Sequence, residues 1–497
     1  MSSPVRVRFA PSPTGDPHLG NIRTALFNWF FARRHGGKFI LRVEDTDQAR
    51  KVPGATDAIF AALRWLNIDW DEGPEVGGEY GPYYQSERLE IYHSHAKKLI
   101  DQGEAYYCYC GPERLDGMRK QQQANKQPPG YDRHCRDLDL AQLMAWGREQ
   151  SLEGREPVVR FKMPLEGTSV IADQIRGNVS FDLSLLDDFI ILKSDGYPTY
   201  HLANVVDDHL MDITHVLRAE EWLSSAPRHK ELYRALDYKM PHLAHLPIIL
   251  GPDKSKLSKR HGATSVLDYR DNGYLPEALV NFLVLLGWSL DDRTEMFDQI
   301  TLAKSFGLDR VSASPAIFNK EKLDWFNGIY MRALTSEELA EKALPYLNKG
   351  LPDDVGRPLD NEYVAHVIPL VHERLRTLSE APELTDYFFR EDLQFNPLDM
   401  IQKGMDRFTA QEALLKIIER LNLMQNWDQA ALENLLRPLA DELELSTGQL
   451  FGTIRVGITG RKAAPPLFET MEVLGKDRCL TRLQSALKYL KMLPIAC

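Results

Sequence analysis

The sequence predicts an α/β protein: a doubly wound parallel sheet divided by an α+β insertion, then a linker module and an all-α C-terminal region. Strand and helix patterns alternate over the first 95 residues, as in parallel sheets with crossover helices. After about residue 330 the apolar residues recur at helical spacing alone, with many opposite charges four positions apart. A length of 497 residues allows about three or four domains.

The first elements carry the clearest alternation. Residues 5–9 alternate at period two and predict a strand, and the breaker-rich loop 10–17 follows. A helical pattern runs from Leu19 to Arg34 and stops at a pair of glycines. Residues 39–43 predict a buried strand, and Pro53-Gly54 opens the next helix. The order strand, helix, strand, helix indicates a Rossmann-type sheet.

The pattern loosens from about residue 91, where a helix leads into a polar stretch and short strand-like runs at 158–161 and 188–192. Alternating β/α character returns in residues 200–206 and 215–218. The predicted divisions are 1–95 and 194–254 for the two parts of the Rossmann-type domain, 96–193 for the insertion, 255–330 for the linker module, and 331–497 for the all-helical region.

The composition excludes several classes of protein. Hydrophobic residues make up 43% of the chain and charged residues 26%, which excludes disorder as the main state. No apolar run approaches the roughly 18 residues of a membrane span, and residues 1–9 lack the apolar core of a signal peptide. Five cysteines are too few for a disulfide framework. We expect a soluble, cytoplasmic protein, and a net charge of −11 does not exclude a locally basic nucleic-acid face.

Two segments suggest phosphate binding. His18 and Gly20 lie where the first loop enters the first helix, and a helix N-terminus offers free N–H groups and a positive dipole end to phosphates. Residues 253–262 combine four cations and two hydroxyls ahead of a glycine, a composition suited to a triphosphate. Taken singly, the first segment is equally typical of a helix-capping loop and the second of a solvated surface loop.

The two segments together resemble the HIGH and KMSKS signatures of class I aminoacyl-tRNA synthetases: HLGN at 18–21, and KLSKR at 256–260 with Lys256 and Lys259 at the lysine positions. Further stretches resemble the bacterial-type glutamyl-tRNA synthetase family along the whole chain, most weakly after about residue 340. These are RFAPSPTG at 8–15, RVEDTD at 42–47, YPTYHLAN at 197–204 and LRAEEW at 217–222.

The resemblance implies a pocket for L-glutamate. Its residues are Arg8, Tyr200 and Arg218 for the γ-carboxylate, with Ser12, Glu44 and Asn204 for the α-ammonium and α-carboxylate. Arginine suits this task because its fork binds both oxygens of a carboxylate. Two alternatives stay open from the sequence: each arginine forms an ordinary ion pair, for instance with Glu44 or Glu220, or Tyr200 and Asn204 face the core edge of a strand.

The resemblance also implies a two-step reaction. Glutamate attacks the α-phosphorus of ATP to give glutamyl-adenylate, and the terminal 2′-hydroxyl of glutamate tRNA then attacks the activated carbonyl, with positioning and charge stabilisation supplying the rate. Mg²⁺ accompanies the ATP, and the family needs bound tRNA before it activates glutamate. The residues implied for catalysis and ATP are His18, Gly20, Glu221, Lys256, Leu257, Ser258 and Lys259.

Three cysteines in the insertion raise the question of a metal. Thiol clusters in reducing compartments are more often zinc sites than disulfides, and the resemblance implies zinc on Cys108, Cys110, Tyr131 and Cys135. His134 and Asp137 are alternative fourth ligands, because a phenolate is an unusual one. A lost site with three unpaired thiols is the other alternative. Cys479 and Cys497 have no nearby partner in the sequence and are taken as incidental.

Residues 331–497 resemble the helical anticodon-binding domain of bacterial members. The candidates for contacting tRNA are Arg374, Arg376, Arg455, Arg461 and Lys462, and solvated helix charges are an equally good interpretation of any one of them. The family resemblance suggests a monomer. The sequence leaves open whether glutamine tRNA is charged as well.

Three rival functions explain less of the sequence. A tRNA-independent nucleotidyl transferase on the same fold accounts for both phosphate motifs, but not for the helical region or the glutamate-type pocket. A tRNA-binding module without catalysis leaves the intact His18, Lys256 and Arg8 without a purpose. A short paralogue that glutamylates a modified tRNA base lacks the C-terminal domain.

Overall fold

The computed structural model describes residues 4–149, 156–258, 260, 262, 265–394 and 396–493. The chain divides into two compact units. The first unit comprises Met1–Arg270 with Pro276–Lys320, and the second comprises Asp271–Leu275 with Glu321–Cys497. None of the described helices is both long and apolar enough to cross a membrane.

The first unit contains all the described strands and the helices α1 to α10. The strands are β1 Arg6–Phe9, β2 Lys38–Leu41, β3 Ala105–Cys108, β4 Val158–Phe161, β5 Thr168–Asp173, β6 Gly177–Asp182, β7 Ile190–Leu192, β8 His215–Ala219, β9 His242–Leu246, β10 Ile249–Leu250 and β11 Ala316–Ile317. The helices are α1 Leu19–Arg34, α2 Ala55–Trp65, α3 Leu89–Asp101, α4 Pro112–Ala124, α5 Leu140–Glu149, α6 Tyr200–Leu210, α7 Ala226–Leu236, α8 Val266–Asp271, α9 Pro276–Leu285 and α10 Gln299–Ser305.

Parallel pairing in the first unit confirms the predicted Rossmann-type sheet. Strand β1 pairs in parallel with β2, and β8 pairs in parallel with β9. The backbone N–H of Thr214, just before β8, donates to the carbonyl of Arg6 in β1 at 2.9 Å. Strand β5 joins β9 in parallel and β6 in antiparallel fashion. Although β5 and β6 fall within the segment 96–193, they extend this sheet, whereas β3, β4 and β7 form a separate antiparallel sheet.

Helix α1 matches its predicted bounds and is buried over most of its surface. Its Phe27 and Phe30 pack on Phe306, with ring centroids 5.1 and 6.0 Å apart. The fully buried Arg23 donates to the carbonyls of Pro247 and Leu286, and burial lowers its pKa to about 10. These contacts fix the helix whose N-terminus opens on the cleft described below.

Residues 200–206 form a helix, so the alternative that set Tyr200 and Asn204 on a strand is wrong. The segment opens α6, which buries Leu202, Val205 and Val206. Positions 200 and 204 are one helical turn apart and therefore share a face, and Asp208 continues that face. The helical state is hard to predict from the sequence, because apolar residues flank the polar side chains of this face on both sides.

The second unit is helical throughout its described part. Its helices are α11 Lys320–Arg332, α12 Ser336–Gly350, α13 Asn361–Val367, α14 Ala381–Phe389, α15 Arg407–Asn422, α16 Gln429–Glu442, α17 Thr447–Thr459, α18 Leu467–Leu474 and α19 Lys476–Met492. Leucine and isoleucine at helical spacing fill the core, including Leu414, Ile417, Leu436, Ile454 and Leu483. Burial of each such side chain stabilises the unit by ~1.5–3 kcal/mol, and the predicted all-α region is confirmed.

Candidate active site

A cleft of about 490 Å³ opens beside β1, β8 and the start of α6. All six side chains predicted to hold glutamate line it, namely Arg8, Ser12, Glu44, Tyr200, Asn204 and Arg218. They come from four separate segments of sequence, which the parallel sheet brings together. The crevice at the carboxyl ends of parallel strands is the usual binding position in such folds.

A buried carboxylate organises the floor of the cleft. Oδ1 of Asp208 accepts from Nε of Arg8 at 3.0 Å and from Nη1 of Arg42 at 2.8 Å. Burial alone would raise the pKa of Asp208, but the two guanidinium groups lower it overall. The Asn204 amide completes the cluster: its oxygen accepts from both arginines, and its nitrogen lies 3.2 Å from Oδ2 of Asp208. This orientation is assigned from the hydrogen-bonding partners.

Glu44 lies in the same cluster with a different electrostatic balance. Burial raises the pKa of its carboxyl, although Arg42 and Arg8 act in the opposite direction. Its Oε1 accepts from Nη2 of Arg42 at 3.2 Å. The sequence left open an ion pair between Arg8 and Glu44. Arg8 does form an ion pair, but its partner is Asp208. Because burial disfavours the ionised form of Glu44, the ammonium group of a bound ligand would stabilise that form.

Arg218 is held by neutral groups on the opposite wall. Its Nη1 donates to the Tyr200 hydroxyl at 2.9 Å and its Nη2 to the Trp222 carbonyl at 3.2 Å. The rings of Tyr200 and Trp222 lie 4.3 Å apart, and burial raises the pKa of Tyr200. The alternative pairing with Glu220 is wrong, because that carboxylate pairs with Arg176. Arg218 therefore reaches the cleft without a carboxylate partner among the described residues.

A recess of about 50 Å³ lies at the N-terminus of α1 and is lined by His18 and Asn21, among others. His18 is the N-cap residue, with φ −76° and ψ 150°, and its side chain makes no capping hydrogen bond. A Cβ added to Gly20 would meet no atom within 4 Å. The space beside Gly20 in the first turn of the helix is therefore open, which suits the approach of a phosphate.

The basic loop follows β10 and is anchored by its backbone. The N–H of Leu257 donates to the Ile249 carbonyl at 3.0 Å, and Nζ of Lys256 donates to Oε2 of Glu221 at 2.6 Å. Glu221 lines the cleft, so this exposed ion pair brings Lys256 to its mouth. Ser258 is partly buried. Lys259 lies outside the described residues.

Three thiols and a phenol converge in the first unit. The sulfur atoms of Cys108, Cys110 and Cys135 lie within 4.8 Å of one another. The hydroxyl of Tyr131 is 3.4 Å from the sulfurs of both Cys108 and Cys110. Three thiols with a fourth oxygen donor match the tetrahedral preference of zinc, so these residues fit a zinc ion. Neither His134 nor Asp137 belongs to the cluster of possible ligands among the described residues.

The predicted tRNA contacts lie in the second unit, and three of the five have acidic or carbonyl partners. Arg461 pairs with Asp386 at 2.8 Å and Lys462 with Asp399 at 2.7 Å. Arg374 donates to the Ala464 carbonyl at 2.9 Å. The other two candidates are Arg376, which is exposed, and Arg455, which is partly buried.

Several residues around the site were not predicted from the sequence. Asp208 and Arg42 build the buried cluster, and Asp173 with His245 lies behind Arg218. A signal existed for Asp208, because two consecutive aspartates interrupt the apolar run of α6. No comparable signal marks His245, whose importance depends on a contact between distant strands.

A parallel-sheet domain with a helix N-terminus at its cleft and a lysine-bearing loop beside it defines a nucleotide-binding enzyme of the class I synthetase type. A family model described as "tRNA synthetases class I (E and Q), catalytic domain" matches residues 4–325. One described as "Anticodon binding domain" matches residues 338–487. The chain belongs to the class I tRNA synthetases of the E and Q family, which confirms the resemblance found in the sequence.

Named relatives match along nearly the full length. A glutamate–tRNA ligase of Dehalococcoides mccartyi is 55% identical over 494 residues, covering 99% of this chain and 100% of that protein. One of Moorella thermoacetica is 48% identical over 488 residues, covering 98% and 99%. The crystal structure of a glutamate tRNA ligase from Elizabethkingia meningosepticum in complex with its amino acid has a TM-score of 0.86 at 34% identity, covering 98% and 99%.

Proposed function

We propose that this chain ligates L-glutamate to glutamate tRNA at the expense of ATP. The observation that carries the proposal is the cleft, in which two arginines, a tyrosine and a buried glutamate surround a space of about 490 Å³. Full-length identity of up to 55% to glutamate–tRNA ligases among the relatives compared supports it. Because ribosomes use the product in the cytoplasm, we expect the chain to act there. We also expect a monomer, as the family resemblance implies.

The two ends of glutamate have matching groups in the cleft. Arg8, Tyr200 and Arg218 bind the γ-carboxylate, since all three donate hydrogen bonds. Glu44 attracts the α-ammonium. Ser12 and Asn204 position the α-carboxylate for attack on the α-phosphorus of ATP.

The ATP phosphates bind at the N-terminus of α1, where His18 and Gly20 lie. Lys256, Leu257, Ser258 and Lys259 belong to the loop that closes over them, and Lys256 leaves Glu221 as it does so. Mg²⁺ bound to the nucleotide would offset part of the phosphate charge. None of these groups needs to form a covalent bond, because positioning and electrostatic stabilisation lower the barrier for both steps.

A bound zinc ion would cross-link the insertion and stabilise its fold. Its ligands would be Cys108, Cys110, Tyr131 and Cys135. The closed set of four protein donors supports this role, because a catalytic zinc keeps one position open. The tRNA itself is bound in part by the second unit, through Arg374, Arg376, Arg455, Arg461 and Lys462.

Exchange of labelled pyrophosphate into ATP tests the function. We expect exchange to require glutamate and glutamate tRNA together. Exchange without any tRNA would favour a nucleotidyl transferase, and its absence under every condition from folded protein would overturn the proposal. A parallel reaction with glutamine tRNA decides whether the chain charges that tRNA as well.

A further inference from the structure

The guanidinium of Arg218 is fixed by more than the cleft wall. Its Nε donates to Nε2 of His245 at 2.9 Å, and its Nη1 lies 3.2 Å from Nδ1 of His229. With the bonds to Tyr200 and Trp222, four of its five N–H groups have acceptors. Among the described residues, the fifth has no partner, and Arg218 lines the cleft.

These contacts determine where the protons of His245 lie. Arginine only donates hydrogen bonds, so Nε2 of His245 is the acceptor and carries no proton. The proton is therefore on Nδ1, which donates to Oδ2 of Asp173 at 2.6 Å. The backbone N–H groups of Ile175 and Arg176 donate in turn to Oδ1 of Asp173, at 3.0 and 2.9 Å. Both side chains of the pair are fully buried.

The protons of His229 are fixed by its contacts in the same way. Its Nδ1 accepts from Arg218, so its Nε2 carries the proton and donates to Nδ1 of His201 at 3.1 Å. Burial lowers the pKa of His245 and, further, that of His229. Burial also lowers the pKa of His201 to about 4. Neutral histidines thus surround the positive guanidinium without repelling it.

On this wall of the cleft, Tyr200 and Arg218 are left with donors to offer a substrate. The Tyr200 oxygen accepts from Arg218, so its own proton points elsewhere and is available, together with the fifth N–H of Arg218. A carboxylate offers only acceptors and satisfies both donors. A carboxamide has one accepting oxygen instead of two and no negative charge, so it loses the charge-assisted bond to the guanidinium and turns an NH₂ group toward a site that offers donors, which is costly.

We propose that Asp173 and His245, which lie outside the cleft, are positioning residues that fix Arg218 and thereby set the preference of the site for a side-chain carboxylate over a carboxamide. The inference rests on the proposed function, because it assumes that glutamate occupies this cleft. Asp173 fixes the tautomer of His245, and His245 holds the Nε edge of the guanidinium, so the free N–H of Arg218 keeps one direction.

The test compares His245→Leu with His245→Gln in the full chain, using transfer of glutamate or glutamine to glutamate tRNA. Leucine removes the acceptor for Nε, whereas the glutamine carbonyl replaces it. We expect His245→Leu to raise the KM for glutamate by about tenfold and to reduce the glutamate-over-glutamine ratio of kcat/KM by at least about tenfold. The KM for ATP stays unchanged. His245→Gln retains most of the wild-type selectivity, as does His242→Leu, an exposed position on the same strand.

Asp173→Asn gives an independent test should His245→Leu not fold. Its NH₂ group would drive the His245 proton to Nε2, against the Nε–H of Arg218, so selectivity falls while ATP binding persists. An unchanged glutamate KM and unchanged selectivity in folded His245→Leu or Asp173→Asn would overturn the inference while leaving the function intact. Absence of charging by the unmodified chain would instead refute the proposed function.

Discussion

At the scale of single residues, Asp208 is the buried carboxylate on which the arginine cluster beside the cleft depends. It is 1% exposed and serves two guanidinium groups, one of them completely buried. Removing one partner of a buried ion pair leaves an uncompensated charge, which costs far more than the pair itself contributes. The carboxylate therefore supports stability and keeps Arg8 in place for a substrate.

We expect Asp208→Asn to lower the free energy of unfolding of the first unit by about 3–5 kcal/mol. Chemical denaturation monitored by tryptophan fluorescence measures this change. The matched control is Asp101→Asn, whose carboxylate pairs with Lys97 on the surface with side chains 60% and 71% exposed. Its effect stays below about 1 kcal/mol, and equal effects for both variants would contradict the prediction.

His215 makes stability depend on pH. Its ring packs 5.0 Å from Phe31 and 4.9 Å from His242, and burial, followed by His242 and His35, lowers its pKa to about 4. The neutral form is favoured in the folded state. The neutral His215 side chain therefore contributes fully to folding stability above its unfolded pKa of about 6.5, and this contribution is lost as the pH falls toward 4.

The stability of the wild-type chain relative to His215→Phe should fall by about 1 kcal/mol between pH 7 and pH 5, because solvent screens part of the effect at this half-buried ring. Unfolding curves of both proteins at each pH measure the difference. A constant difference for His215→Phe would show that its folded pKa is not lowered.

Motifs in the sequence predicted which residues would meet, but not how they would pair. Arg8 and Glu44 were both expected in the glutamate pocket, and both line the cleft. The partner of Arg8, however, is Asp208, 200 positions along the chain. Such pairing depends on the register of distant strands and on burial, neither of which a local pattern contains.

At the scale of elements, helix α1 combines a rigid body with an open end. Its body is held by aromatic packing and by Arg23, whereas Gly20 faces empty space. The bounds of this helix were predictable because its breakers are local. The helical state of residues 200–206 was less clear from the sequence, since the buried polar face of α6 interrupts the periodicity.

Gly20→Ala should leave the melting temperature nearly unchanged and raise the KM for ATP about tenfold, because the added methyl group occupies the space of a phosphate without touching protein atoms. Gly117→Ala is the control, since this exposed glycine of α4 also has no atom within 4 Å of an added Cβ. It should leave the KM for ATP unchanged. An unaltered KM in Gly20→Ala would exclude close phosphate approach there.

The cysteine cluster predicts about one zinc ion per chain, with Tyr131 as the fourth ligand. Tyr131→Phe removes that oxygen and should weaken zinc binding, so that dialysis against a mild chelator strips this variant first. Tyr109→Phe, next to the same cluster in sequence, should retain the wild-type zinc content. Metal analysis after dialysis measures both. Equal retention would show that Tyr131 is not a ligand.

At the scale of the whole molecule, a chain of net charge −11 has to bind a polyanion. Local cations do this, because charges beyond a Debye length are screened. Fold class and the division into a sheet-containing and a helical unit followed from periodicity along the sequence. Periodicity does not identify residues that contact tRNA, because exposed arginines on helices have the same pattern whether or not they bind RNA.

We expect the double variant Arg374→Ala with Arg461→Ala to raise the KM for tRNA about tenfold and to reduce its dependence on salt. The KM values for glutamate and ATP should stay the same, because the cleft proposed for both substrates lies in the first unit. Arg437→Ala is the matched control, since that arginine also pairs with a carboxylate, that of Glu433 on α16, but is not among the candidates for contacting tRNA. Initial rates of charging at several salt concentrations provide the measurement.

The packing of Phe306 on Phe27 and Phe30 has a consequence for synthesis of the chain. The ribosome makes Phe306 roughly 275 residues after the helix that it covers. At ~5–20 residues per second, the aromatic side of α1 waits about a quarter of a minute to a minute for its cover. During translation, this helix is therefore a natural target for chaperones, and completion of the catalytic unit is delayed until well after its first strands have emerged.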